Sequence, residues 1–399
     1  MAWWQDREAL RRYVADLLAA EFSRLRPGLP PASWTDENLR LDDAGDDITC
    51  LGADSLELVS LATALNEALH LHRTGVEDYL LMRRQLRDWL DIAAHCLENF
   101  DAEIGFRTSG SSGPPKLCVH PAARLEEEIS FLARLVGPRR RVLQVVPAHH
   151  IYGFLFTVML PGRIGASVVD SRRRIGIDAQ PGDLVVGYPE FWSRLERSGR
   201  PWPEDVIGVV STGPCPADVA AGLRAGRLSR FIEVYGSSET AGIGWRDGSR
   251  SDYTLFPHWQ RQEDGILHRS SGLAASLQDR LLWHDDSHFE VLGRLDGAVQ
   301  IGGINVFPGH VRDVLCRHPA IAEAAVRPMA MAGAGAGSLR LKAFIVPADP
   351  AADIAALRSG IESWMAVHLA PVERPRSLRF GPALPLTAMG KPADWPAAD

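Results

Sequence analysis

Between Phe106 and His120 the chain reads FRTSGSSGPPKLCVH, a run of hydroxylic residues and glycines closed by a lysine. Gly110 and Gly113 let backbone amides turn toward one point, while Thr108, Ser109, Ser111 and Ser112 add hydroxyl donors and Lys116 a fixed positive charge. Such a loop can hold phosphates. It is not the P-loop pattern, because two prolines precede Lys116 and no Ser or Thr follows it. The same composition also suits a flexible Gly/Ser linker, so residues elsewhere must decide between the two.

Four other stretches carry chemistry-bearing types. VLQVVPAHHIYGFLFTVML places His149 and His150 after a turn at Pro147; no further Cys, His or acid lies nearby at a zinc-like spacing, which disfavours a metal centre. VIGVVSTGPCPADV ends an apolar run on Ser211, Thr212 and Gly213. FIEVYGSSETAGIGW carries Glu239, which by itself suits an ordinary solvated loop acid, and PLTAMGKPADW carries Lys391 in a polar tail.

Taken together these stretches resemble the adenylate-forming superfamily of acyl- and aryl-CoA ligases, peptide-synthetase adenylation domains and luciferases. TSGSSGPPK is similar to its TSGSTGxPK signature, YGSSE to its YGxTE, GRLDGAVQIGGINVFPGHV to its hinge segment, and PLTAMGK to its PxTxxGK, in order along the chain. The resemblance runs from Glu103 to Pro392. It implies that ATP and Mg²⁺ are used to turn a carboxylic acid into an acyl adenylate, with a phosphopantetheine or CoA thiol taking the acyl group.

Residue by residue, the resemblance puts Thr108 to Gly113 and Lys116 around the phosphates, and Tyr235, with Gly236 beside it, on adenine. Ser238 supplies the hydroxyl near the α-phosphate and Glu239 holds Mg²⁺, a hard cation that commonly takes one carboxylate plus phosphate oxygens. Ser211, Thr212 and Gly213 line the pocket between acid and adenine. Asp279, at the expected fifteen residues before Arg294, takes the ribose hydroxyls, although the usual TGD is replaced by LQD. Arg294 contacts ribose or phosphates, Asp296 is the hinge, and Lys391 matches the catalytic lysine. Gln300 stands where the hinge segment usually has lysine.

PAHHIY is similar to a segment of the 4-coumarate and benzoate ligase branch, in which the histidine matching His150 borders the aryl-acid pocket. The next position, Ile151, is usually aspartate in amino-acid-activating relatives; an apolar residue there cannot compensate a buried ammonium, so the expected acid lacks an α-amine. The short architecture with a helical start resembles hydroxybenzoate-AMP ligases of aryl-polyene (xanthomonadin-type) pigment pathways, which makes 4-hydroxybenzoate or a related hydroxybenzoate or cinnamate the expected acid. Gln300, the altered TGD and a shortened region before the phosphate loop leave open a degenerate nucleotide-binding scaffold.

These residues need elements to hold them. With 399 residues, 46% hydrophobic and 23% charged, the chain can build two or three domains. The reading is residues 1–98 as a helical domain, 99–292 as a truncated α/β adenylating core and 293–399 as a mobile α+β lid, where short strands alternate with helices. From Asp6 to Leu25 an apolar face at helical spacing predicts an amphipathic helix, followed by a long Pro- and Asp-rich loop.

LGADSLELVSLATALNEALHLH predicts a second helix, and one or two more follow before Phe100. This start resembles an acyl carrier protein, with Ser55 at the position that carries phosphopantetheine; Asp54 and Glu57 equally form a capping box open to any helix. A carrier protein, free or fused, is therefore an expected partner alongside CoA.

The net charge of −7 provides no footprint for nucleic acid. Five scattered cysteines without a C-x-x-C pair suit a reducing compartment. The N-terminus has no apolar leader, and FLFTVML, the longest apolar run, is too short to span a bilayer, so the expectation is a soluble cytoplasmic protein.

Overall fold

The computed structural model describes residues 2–26, 34, 36–42, 50–107, 116–173, 176–248, 250–262, 267–269, 272, 274–275, 277, 279–294, 297–302, 304–331, 339–385 and 393–397. Helix α1 (Arg7–Leu25) starts where Asp6 caps the Glu8 and Ala9 amides. Two three- and four-residue strands, β1 (Arg40–Asp42) and β2 (Cys50–Ala53), pair in parallel ahead of α2 (Ser55–Leu69). Helices α3 (Asp78–Met82) and α4 (Leu86–Asn99) complete this layer.

The capping box at α2 forms as its sequence suggests: Asp54 accepts from the Leu56 and Glu57 amides, and Glu57 accepts from the Asp54 amide. Glu57 is also paired with Arg26, so it ties the end of α1 to the start of α2. Ser55 is exposed at the first position of that helix.

Strands β3 (Glu103–Arg107) and β4 (Leu117–Pro121) form an antiparallel pair, and α5 (Ala122–Val136) follows. The main sheet then builds from β5 (Arg141–Gln144), α6 (Ile151–Phe154) running through a π-helical turn at Leu155–Met159 into α7 (Leu160–Ile164), and β6 (Ser167–Asp170). It continues with β7 (Asp183–Gly187), α8 (Pro189–Arg197), β8 (Ile207–Val210), α9 (Ala217–Ala225) and β9 (Arg230–Ser237). After it come β10 (Ala241–Asp247) and β11 (Tyr253–Leu255), a small antiparallel sheet of β12 (Trp259–Arg261), β13 (Leu267–Arg269) and β14 (Ala274–Ala275), then β15 (Asp279–Trp283) and β16 (His288–Arg294).

The large sheet has nine strands in the order β15-β16-β11-β10-β9-β8-β7-β5-β6. Five of them, β6, β5, β7, β8 and β9, are parallel, and the rest add antiparallel at one side. In the parallel part the chain order reverses between β5 and β7. Open parallel sheets bind ligands at the carboxyl ends of their strands beside such a reversal, because flanking loops diverge there and leave a crevice. The tail of β5 at that point is the Val145–His150 segment.

One continuous apolar core contains Leu10, Tyr13, Val14 and Leu18 of α1, Leu61 and Leu65 of α2, Trp89 of α4, and Val142, Leu184, Ile207, Ile232 and Phe289 of the sheet. Residues of the first hundred thus share one apolar core with the sheet. Their helices are present as read, and their apolar faces meet one another, β3 and the π-helical turn within that core.

A second core belongs to the C-terminal part, built from β17 (Val299–Ile301), β18 (Ile304–Val306), α10 (Pro308–Cys316), β19 (Ile321–Ala330), β20 (Leu339–Pro347), α11 (Ile354–His368) and β21 (Ser377–Phe380). Strand β20 pairs antiparallel with β19 and parallel with β21. Among the described residues no helix is long and apolar enough to cross a membrane.

Candidate active site

The candidates on β8 and β9 lie at or just beyond the carboxyl ends of their strands, and His150 and Ile151 follow the end of β5 by six and seven residues, on the side a shared crevice requires. At the end of β8, Ser211 donates from Oγ to the Val234 carbonyl at 2.8 Å, joining the loop to β9. The next residue, Thr212, has φ +74°, a left-handed conformation that a β-branched side chain resists. Such strain persists only where surrounding structure enforces it, and it clusters at ligand sites. Gly213 leaves room for the C-terminal part: a Cβ there would lie 2.9 Å from Gln300 Oε1, so the β17 strand reaches this loop.

The β9–β10 turn carries Ser238 and Glu239. Ser237 and Thr240 lace it together: Thr240 Oγ1 accepts from the Ser237 amide, and Ser237 Oγ accepts from the Glu239 and Thr240 amides. A Cβ on Gly236 would run into the Ala241 carbonyl, so glycine is needed for the close return of the chain. Two residues not singled out from the sequence hold the turn from outside. His120 of β4, 3% exposed, donates from Nε2 to the Ser238 carbonyl at 2.7 Å, and Glu128 of α5 accepts from the Gly242 amide at 3.0 Å. Nothing in their local sequence marks them, since their partners are 118 and 114 residues away.

Burial raises the Cys118 thiol pKa; the Glu239 carboxylate acts on it in the same sense and Lys116 in the opposite one. The strand leaving the loop therefore has Lys116 and Glu239 in its surroundings. Glu239 is exposed, and among the described residues no cluster of three or more His, Cys, Asp or Glu could cage a metal. A single accessible carboxylate fits Mg²⁺, which keeps water and phosphate oxygens as its other ligands.

Tyr235 and Asp279 meet directly: the phenol donates to Oδ2 at 2.6 Å. Asp279 also stands opposite Arg294 in the β15–β16 register. The fifteen-residue spacing is a hairpin, and it brings the tyrosine, aspartate and arginine positions together despite the altered flanks. Thr108, Ser109, Gly110, Ser111, Ser112, Gly113, Asp296 and Lys391 lie outside the described residues. The ends of the phosphate loop are nevertheless set by β3 and β4, where Arg107 pairs with Leu117.

Beyond β5, His149 and His150 have ring centroids 4.1 Å apart. Burial holds the His149 pKa well below its usual value, and the surrounding protein lowers that of His150 as well. His150 remains open to solvent by surface area, the combination expected of a side chain facing a cleft rather than a core. Ile151, only 8% exposed, starts α6. Tyr152 secures that helix by donating to the Gly187 and Val209 carbonyls at 3.0 and 3.1 Å. A Cβ on Gly153 would overlap the Pro147 carbonyl, so the turn and helix pack backbone to backbone.

Residues 96–309 match the family described as AMP-binding enzyme, and residues 310–391 match AMP-binding enzyme C-terminal domain. A 4-coumarate–CoA ligase of Halorhodospira halophila is 39% identical over 88% of this chain and 90% of its own. One of Rhodobacter capsulatus is 38% identical over 97% of this chain and all of its own. In fold, the chain is similar to the amide bond synthetase McbA of Marinactinospora thermotolerans, with a TM-score of 0.58 at 17% identity, covering 96% of this chain and 92% of that one. A malonyl-CoA ligase complex with methylmalonyl-CoA and AMP gives 0.53 at 22% identity, over 70% and 71%. With the strand-end placement of the candidates, the Tyr235–Asp279 pair and both family matches in agreement, this chain belongs to the AMP-binding enzyme family and is an adenylate-forming acid–thiol ligase.

Proposed function

We propose that this ligase activates a hydroxylated aromatic acid, 4-coumarate or a close hydroxycinnamate, to its acyl adenylate with release of pyrophosphate, and passes the acyl group to CoA. The observation that carries the substrate class is Ile151 beside His150 at the sheet's reversal point, an apolar wall where an α-amine would find no counter-charge. The relatives named as 4-coumarate–CoA ligases, aligned over nearly the whole chain, support the hydroxycinnamate over the shorter hydroxybenzoate.

In this reading His150, Ile151, Ser211 and Thr212 face the acid. Tyr235 packs on adenine, Gly213 and Gly236 permit close backbone approach, and Asp279 and Arg294 hold ribose. Ser238 reaches the α-phosphate, while Thr108, Ser109, Gly110, Ser111, Ser112, Gly113 and Lys116 surround the outgoing phosphates. Glu239 would hold Mg²⁺, which when bound neutralises phosphate charge. Asp296 is the hinge about which the C-terminal part turns between the two half-reactions, and Gln300 then meets the Gly213 loop in one of them.

Pyrophosphate release across a panel of acids tests the substrate class. 4-Coumarate is expected to be fastest, 4-hydroxybenzoate slower, and α-amino acids inactive, since a buried unpaired ammonium costs several kcal/mol. Fastest release with an amino acid or a long-chain fatty acid would falsify the aryl reading.

A carrier protein as acceptor is the second reading, favoured by the exposed Ser55 at a helix start. The apolar core that residues 1–98 share with the sheet argues for support or docking rather than for a swinging carrier, and Ser55 is expected to stay unmodified. After co-expression with a broad-specificity phosphopantetheinyl transferase, intact mass should be unchanged. A gain of about 340 Da that Ser55→Ala abolishes would establish a self-loading carrier instead.

A further inference from the structure

Two charged residues one turn apart on α1 reach across to the segment that bears His149, His150 and Ile151. Asp16 Oδ2 accepts from the Ala148 amide at 2.6 Å and from Gln144 Nε2 at 3.3 Å. Arg172, just past β6, donates to both oxygens of the same carboxylate at 2.8 Å. Arg12, four residues before Asp16, donates from Nη1 to the Thr157 carbonyl at 2.8 Å, within the π-helical turn. Residues four apart share a helix face, so one rigid element holds the segment at both ends, Ala148 and Thr157.

These contacts are costly to make without purpose. Both side chains are largely withdrawn from water, and burial lowers the Arg12 pKa and raises that of Asp16. A π-turn is itself an irregularity that recurs at functional sites, because it re-aims the helix and displaces carbonyls from their usual partners. Here the guanidinium of α1 satisfies one such carbonyl. On the opposite side, Tyr152 pins α6 to β7 and β8. The His149–Ile151 turn is therefore held between the N-terminal helix and the sheet.

We propose that Arg12 and Asp16 are positioning residues for the carboxylic acid: the N-terminal helix is part of the acid site, setting the His149–Ile151 turn at the mouth of β5. This rests on the reading that the turn lines the acid pocket. Since a displacement of about 1 Å in a reactant's surroundings can cost on the order of 10²-fold in rate, loss of either grip acts on the acid and not on the nucleotide side.

The test measures KM for 4-coumarate, KM for ATP, kcat and thermal melting in the full chain. Arg12→Met and Asp16→Asn are each expected to raise the acid KM roughly tenfold, the size of one lost charge-assisted hydrogen bond, with the ATP KM within about twofold of the parent. Arg12→Lys, which keeps a donor, should recover most of the loss. Asp183→Asn removes the comparably buried Arg141 pair at the opposite ends of β5 and β7, and should lower stability without moving the acid KM. Should Asp16→Asn not fold, Arg12→Met and Arg12→Lys carry the comparison.

An unchanged acid KM in Arg12→Met, or equal shifts for acid and ATP, overturns the clamp. His150→Ala separates the two ideas. If it raises the acid KM while the α1 variants do not, the pocket stands and the clamp falls; if it leaves the acid KM unmoved, the pocket reading falls.

Discussion

Lys391→Ala should slow formation of the acyl adenylate on the order of 10²- to 10³-fold, about 2.7–4 kcal/mol, with little change in ATP affinity. Attack of a carboxylate on the α-phosphorus brings anionic oxygens together, and charge on the phosphoryl group must be stabilised in line with the departing pyrophosphate. In the proposed reading the glycine-rich loop and Lys116 serve the outgoing phosphates, which leaves the attacked phosphate in need of its own cation. Lys391, in PLTAMGK, is our assignment for that role. Because its contribution is made mainly in the transition state, the loss falls on the rate and spares ground-state binding. Single-turnover pyrophosphate release beside equilibrium ATP binding distinguishes the two, and a variant that adenylates at the parental rate removes Lys391 from the mechanism.

Glu128→Gln should stabilise the protein at neutral pH by about 1–3 kcal/mol, and the gain should depend on pH. Glu128 is fully buried, and burial pushes its pKa up to about 8, against the opposing pull of Arg269 and the Gly242 amide. Its Oε1 accepts the Gly242 amide, while Oε2 lies 4.0 Å from Nε2 of His258, itself buried and held neutral with a pKa of about 3. The folded protein thus keeps a proton that the unfolded chain loses above its ordinary value of 4.5.

Between about pH 4.5 and 8 folding takes up a proton, so the parent loses stability as pH rises, by up to about 1.4 kcal/mol per pH unit. A neutral glutamine keeps an acceptor for Gly242 and has no such slope. The difference between variant and parent should grow from pH 5 to 8 and level off above it, as read by denaturant melts across pH. A constant difference over that range would show that Glu128 is ionised in the folded protein. Adenylation at pH 7 should change little, because the β9–β10 turn keeps its anchor.

Features legible from the residues alone are local. The capping box at Asp54 and Glu57 and the helix over Arg7–Leu25 depend on neighbours within a turn or two. The turn at Pro147 and the strand-to-loop change at Ser211 are legible for the same reason. Motifs such as TSGSSGPPK and YGSSE are legible as family signatures, and the family match agrees with them.

Tertiary structure decided what those pieces share. The spacing of Asp279 and Arg294 was visible, but only the β15–β16 register makes them opposite, and only the return of the sheet brings Tyr235 to Asp279, 44 residues away. The burial that lifts Glu128 comes from strands more than a hundred residues distant, as does the carboxylate of Asp16 beneath Ala148. The first hundred residues show the same limit. Apolar periodicity tells which helix faces seek cover but not what covers them, and here the cover is shared with the adenylating sheet because a single core buries both.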